Sequence, residues 1–145
     1  MNEAAYIEER LDNQIQWYDL KSQSCQVYYK RLKMLEYIAA AIIPLCSTVL
    51  DTWTYFPWLV GGLGVIIAVD AAALSLYKFH ENWIQYRTTS EQLKHEKYLF
   101  LTQVNPYDGE DAFQQLVARV EGMISKENSS WAQTGKQEIK KDESA

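Results

Sequence analysis

Residues 34–77 contain no lysine and no arginine, although the chain has fourteen of them, five before this block and nine after it. A run of 44 residues without a basic side chain is not the surface of a soluble protein. Averages conceal this. With 145 residues, 48% apolar residues and a net charge of -5, the chain as a whole reads as an ordinary acidic single domain. Its mean hydropathy of -0.31 is the sum of two populations, strongly polar ends and an apolar middle.

The middle divides into two runs, Leu35 to Trp53 and Trp58 to Tyr77. Each has the roughly 20 apolar residues that a helix needs to cross a hydrocarbon core of about 30 Å. Pro44 within the first is tolerated in a membrane helix as a local kink. Thr54 to Pro57 leave room only for a tight turn, so the two runs predict an antiparallel transmembrane hairpin. Trp53, Tyr55, Phe56 and Trp58 crowd that turn, where amphipathic rings sit at headgroup level. Lys30, Arg31 and Lys33 precede the first run, and Lys78, Arg87, Lys94 and Lys97 follow the second. By the positive-inside rule this distribution predicts a multi-pass protein with both termini cytoplasmic. The plainer alternative is a soluble helical protein with an unusually apolar hairpin.

The polar ends read as helices. Residues 3–34 lack glycine and proline, and Leu11, Ile15, Tyr18, Ser22, Cys25, Tyr29 and Leu32 recur at alternating spacings of four and three, a heptad seam. This helix can run unbroken into the first span. Beyond the second span, Phe79, Trp83, Tyr86, Ser90, Leu93 and Lys97 carry a similar stripe to about Gln103, which predicts another long extension. Asn105 to Gly109 form a turn. Asp108 or Asp111 can cap the helix that follows, whose amphipathic face is Phe113, Leu116, Val117, Val120, Met123 and Ile124. That face needs a groove, in its own chain or in a neighbour. From Ser129 the polar composition predicts a disordered tail. The expected architecture is all-α: a cytoplasmic N-terminal helix over 1–34, a transmembrane hairpin over 35–77, cytoplasmic helices over 78–128 and a tail over 129–145.

Several functions are disfavoured. Cys25 and Cys46 are too few for a disulfide framework. The acidic start, with Glu3, Glu8 and Glu9, lacks the pattern of a cleavable signal. A pI near 5.0 argues against nucleic-acid binding. His80 and His95 have no zinc-type partners, and Gly61, Gly62 and Gly64 lie in an apolar helix rather than in a phosphate-binding loop. No nucleophile motif stands out. The expectation is a non-enzyme without cofactor or metal.

Asp70 is the one ionisable group well inside a span. An aspartate near the bilayer centre costs roughly 2.5 to 3.5 kcal/mol even on the lenient insertion scale, so it should face protein or water. Gly64, Ala68 and Ala72, at i, i+4 and i+8, form a small-residue ridge close to opposite it, suited to close helix packing. Both faces of the second span thus want neighbours other than lipid, and one partner helix cannot supply both. Homo-oligomerisation supplies the rest. In a ring, Asp70 can stand in an ion pathway with Ser47 and Thr48, and Asp51 can attract cations at the outer mouth. The alternative for Asp70 is structural, protonated or hydrogen-bonded to Tyr37, Ser47 or Thr48. The alternative for Asp51 is a solvated turn residue.

The densest polar and aromatic stretch follows the second span and includes Trp83, Tyr86, Arg87, Glu91, Leu93, Lys94, Glu96, Tyr98 and Phe100. It reads as a helical assembly surface, or as a control element that gates the membrane part. This stretch, the Trp17, Tyr18, Asp19 pattern, the two close spans and the Asn105, Pro106, Tyr107 element together resemble the SLATT group of small two-transmembrane bacterial proteins over about residues 5–131. The resemblance implies a pore-forming effector in conflict systems, in the bacterial inner membrane, with any trigger supplied by a separate signalling partner or by the cytoplasmic helices themselves. Trp17, Tyr18, Trp83, Tyr86, Arg87, Glu91, Lys94 and Glu96 are the expected assembly or gating residues. The expected function is a homo-oligomeric, cation-favouring channel. The alternative is a non-conducting membrane adaptor that binds another protein through its cytoplasmic helices.

Overall fold

The computed structural model describes the backbone over residues 2–49 and 55–142, and side chains over 2–45, at 55, over 57–127 and at 129. Among the described residues the chain is helical, with no strand. α1 (Glu3–Ala5) opens on Asn2, whose side chain accepts from the Ala5 N–H at 2.8 Å, satisfying one of the donors orphaned at a helix start. A π-helical segment, Tyr6–Asp12, leads into α2 (Asn13–Val49). α3 (Phe56–Tyr77), α4 (Phe79–Leu101) and α5 (Ala112–Asp142) follow. The chain forms two compact units: Met1–Leu20 with Gln85–Ala145, and Lys21–Ile84.

The first unit has a conventional interior. Leu11, Ile15 and Tyr18 from the start of the chain, Leu93 from α4, Tyr107 from the loop, and Leu116, Val120 and Ile124 from α5 are buried in one cluster. Burying one such aliphatic side chain contributes about 1.5 to 3 kcal/mol. The expected seam and the expected face of the third helix therefore meet within one chain. α5 also runs past Ser129, where disorder is expected. Its Gln, Glu and Lys residues are good helix formers and no proline interrupts it, so local propensity favours the helix.

Between α4 and α5 the backbone turns at Gln103, a non-glycine residue at φ 54. The Val104 N–H reaches the Leu99 carbonyl at 3.2 Å and the Gln103 N–H reaches Phe100 at 3.1 Å, the two bonds of a Schellman helix end. The left-handed conformation costs an L-residue roughly 1–2 kcal/mol, part of which glycine loses again through unfolded-chain entropy. Gln103→Gly should therefore raise stability by about 0.5–1 kcal/mol, read as a higher thermal midpoint of the detergent-solubilised chain. An unchanged or lower midpoint counts against this account of the turn.

The second unit is inverted. Its buried residues, among those described, are Ser22, Ala39 and Asp70, while Trp58 is 82% and Leu76 77% exposed. Small and polar groups inside with large apolar groups outside is the pattern of helices solvated by lipid. Among the described residues one helical run, Pro57–Leu101, is long and apolar enough to cross a membrane. It is not the one continuous helix expected: α3 stops at Tyr77, and Lys78 takes left-handed angles of φ 46 and ψ 41 before α4 begins. The Asn82 amide donates to the Tyr77 carbonyl at 3.1 Å, satisfying a group that the break would otherwise orphan. α2 continues through Pro44. The end of the expected first span and the turn, residues 50–54, lie outside the described residues.

Candidate functional site

Three places hold most of the residues singled out by sequence. The first is the face of α3 that carries Asp70. This face (Val60, Leu63, Ile67, Asp70, Ala73, Leu74) is the covered one, with Val60, Leu63, Ile67, Ala73 and Leu74 partly buried, at helical spacings of three and four. Asp70 is only 4% exposed. Its Oδ2 is buried without a hydrogen-bond partner, an arrangement that costs free energy in any protein interior. Ala39 on α2, 3% exposed, stands ten residues beyond Tyr29, and Asp70 ten residues before His80; Tyr29 and His80 are in ring contact at 4.9 Å.

The ridge expected to pack closely against another helix is open within one chain. Gly64, Ala68 and Ala72 are exposed, and a Cβ added at Gly61 or Gly64 would meet nothing within 4 Å. Within one chain, then, the aspartate side is covered and the small-residue side is free. The side chains of Ser47 and Thr48, and Asp51 as a whole, lie outside the described residues.

The second place is the polar ladder of the first unit. Asp19 accepts from Ser90 Oγ at 2.7 Å and from Lys94 Nζ at 2.7 Å, with Arg87 Nη1 at 4.0 Å. Arg87 also pairs with Glu91 at 2.9 Å. Burial alone would raise the Asp19 carboxyl, but hydrogen bonds from Lys94 and Ser90 outweigh it and hold the group below its usual value. Trp17 makes edge contacts with Tyr18 at 4.9 Å and with Tyr86 at 5.8 Å. Trp83 belongs to the other unit, where its ring meets His80 at 5.6 Å.

Glu96 lies at the centre of a separate trio. Its carboxylate accepts from Arg119 at 2.6 and 2.9 Å and from the Tyr107 hydroxyl. Arg119 first, and Tyr107 after it, hold the Glu96 carboxyl below the usual 4.5. Similar pairs join Arg10 and Tyr6 to Glu121, at 2.9 to 3.1 Å, and Tyr18 to Glu127 at 3.1 Å. Burial, and then Glu121, push Tyr6 up to about 12. Arg119 and Glu121 were not singled out by sequence, because their partners stand 23 and 111 residues away. Asp12, paired with Lys97 at 2.6 Å, was equally invisible.

These shifts set a pH dependence. A carboxylate whose folded value is depressed contributes stability that is complete above its unfolded value and lost as the pH falls through the folded one. Glu96, Glu121 and Asp19 are all depressed. The thermal midpoint of the first unit's helices should thus hold steady from neutrality to about pH 4.5 and fall below it. Circular dichroism melts across that range check this, and a midpoint that rises on acidification contradicts it.

A chain that is helical among its described residues, and that joins a bundle with an apolar interior to a lipid-compatible apolar helix, belongs to the class of small helical proteins with a membrane-competent segment. Over residues 13–115 it matches the family described as "Protein of unknown function (DUF4231)", and it belongs to that family. Nothing among curated proteins or solved structures matches it.

Proposed function

We propose that the protein is a homo-oligomeric integral-membrane channel that favours cations, with α3 and the apolar half of α2 as its two spans and both termini cytoplasmic. The observation that carries this reading is Asp70, buried in the middle of an apolar helix with one carboxylate oxygen unpartnered. A carboxylate kept there against a cost of roughly 2.5 to 3.5 kcal/mol calls for a role in moving or holding charge. The open Gly64, Ala68, Ala72 ridge supplies the contact through which hairpins assemble. The covered position of Asp70 in one chain favours a carboxylate beside the pathway rather than a ring aimed freely at a central axis. The ladder on Asp19, Arg87, Glu91 and Lys94 ties α2 to α4 in the first unit and is the element through which a signalling partner would act.

The test is ion flux from loaded liposomes that contain the purified chain. Cation-selective flux supports the reading. Absence of flux at any voltage, tension or ligand tried, together with a strictly monomeric species on crosslinking, removes it. A non-conducting adaptor then becomes the better reading, favoured by the groove that Arg87, Glu91, His95 and Met123 line in the first unit. The likeness to SLATT proteins adds the role of a conflict effector as a further proposal, with the bacterial inner membrane as its site.

A further inference from the structure

The apolar helix carries rings at both ends. Tyr55 and Trp58 are exposed at its start, and Tyr77 is exposed at its end. From Trp58 to Tyr77 the helix rises about 29 Å, close to the thickness of a hydrocarbon core. If α3 spans a membrane, both sets of rings lie at headgroup depth, where amphipathic aromatics anchor. At the Tyr77 end, Tyr28 stacks on Phe79 at 5.7 Å, Phe79 on Tyr77 at 5.4 Å, and Tyr29 meets His80 at 4.9 Å. These contacts place residues 28–29 of α2 beside residues 77–80, all within the second unit.

The next residues on α2 are cationic. Lys33 is paired with Glu36 at 2.7 Å, so its charge is compensated. Lys30 and Arg31 are exposed, and among the described residues neither has a carboxylate partner. Two uncompensated cations one or two residues beyond an aromatic anchor stand where lipid phosphates lie. A guanidinium matches a phosphate with a planar pair of donors, and an ammonium adds a point charge. Zwitterionic headgroups bring their own cation to that site. Anionic ones do not.

We propose that Lys30 and Arg31, beside the exposed rings of Tyr28 and Tyr77, form a collar that binds anionic phospholipid headgroups in preference to zwitterionic ones. The proposal rests on the reading that α3 crosses the membrane.

The experiment titrates the detergent-solubilised full chain with phosphatidylglycerol or with phosphatidylcholine and counts bound lipid by native mass spectrometry. The native chain should prefer phosphatidylglycerol, and the preference should shrink with added salt. Each cation removed should cost about fivefold, so Lys30→Gln with Arg31→Gln should weaken phosphatidylglycerol binding about 25-fold. The charge-preserving pair Lys30→Arg with Arg31→Lys should retain the preference, as should Lys126→Gln on α5. Equal binding of the two lipids by the native chain overturns the proposal, and so does a full preference in the folded double glutamine variant. Should that variant lose its helical signal, the salt titration and the headgroup comparison on the native chain still decide. Release of the native chain from membranes by alkaline carbonate is a separate outcome, which removes the membrane reading whichever lipid is preferred.

Discussion

Glu96→Ala should lower the stability of the chain by about 3 kcal/mol, in the range expected when one partner of a buried ion pair is removed. The reason lies in what the carboxylate holds. It receives two hydrogen bonds from Arg119, and a third from Tyr107, whose side chain is 1% exposed. Without it the tyrosine hydroxyl stays buried with no acceptor from this residue, which costs about 1 to 3 kcal/mol by itself. Arg119 is about half exposed, so water recovers much of its share, and the expected total stays at the lower end of the range. For a chain of this size the thermal midpoint should drop by roughly 6–12 °C. Glu96→Gln, which still accepts from Tyr107, should lose less, and it should flatten the fall in stability below pH 4.5. A midpoint within 1 or 2 °C of the native one in both variants would show that the trio contributes nothing.

Asp70→Asn should leave the fold intact while cation preference falls by about tenfold or more. The amide has nearly the same shape, and Oδ2 has no hydrogen-bond partner to lose in the native chain. The fold therefore gives up little. At an effective dielectric of about 20, a unit charge within several ångströms of a permeating ion is worth a few kcal/mol, and each 1.4 kcal/mol is tenfold in preference. Reversal potentials under a salt gradient across a planar bilayer measure this. Unchanged selectivity in a conducting Asp70→Asn protein would place the carboxylate outside the pathway and return it to a structural role.

The long helices and the faces they bury were legible because helical periodicity is local. Leu11, Ile15 and Tyr18 alternate four and three along the first extension, and Leu116, Val120 and Ile124 recur at four along the last. All six are buried in the structure. The break at Lys78 was not legible. Lysine carries no preference for left-handed angles, and the stabilising Asn82 amide is recognisable only once the helix has ended there. Nor was the identity of the covered face of α3. Composition marks Gly64, Ala68 and Ala72 as a surface that permits close approach, but it does not say whether the approaching helix comes from the same chain. The structure leaves that ridge open and covers Asp70 instead.

By itself the sequence determined where the chain can meet lipid and where it must meet water. Forty-four residues without a lysine or arginine, holding one aspartate deep inside, state that through transfer free energies, which are properties of each side chain and need no fold. Tertiary structure decided which polar groups find each other: Glu96 with Arg119 and Tyr107, Asp19 with Ser90 and Lys94, Glu121 with Arg10 and Tyr6. A hydrogen bond depends on a few tenths of an ångström between atoms that stand up to 115 residues apart in the chain, and no spacing in the sequence encodes that distance.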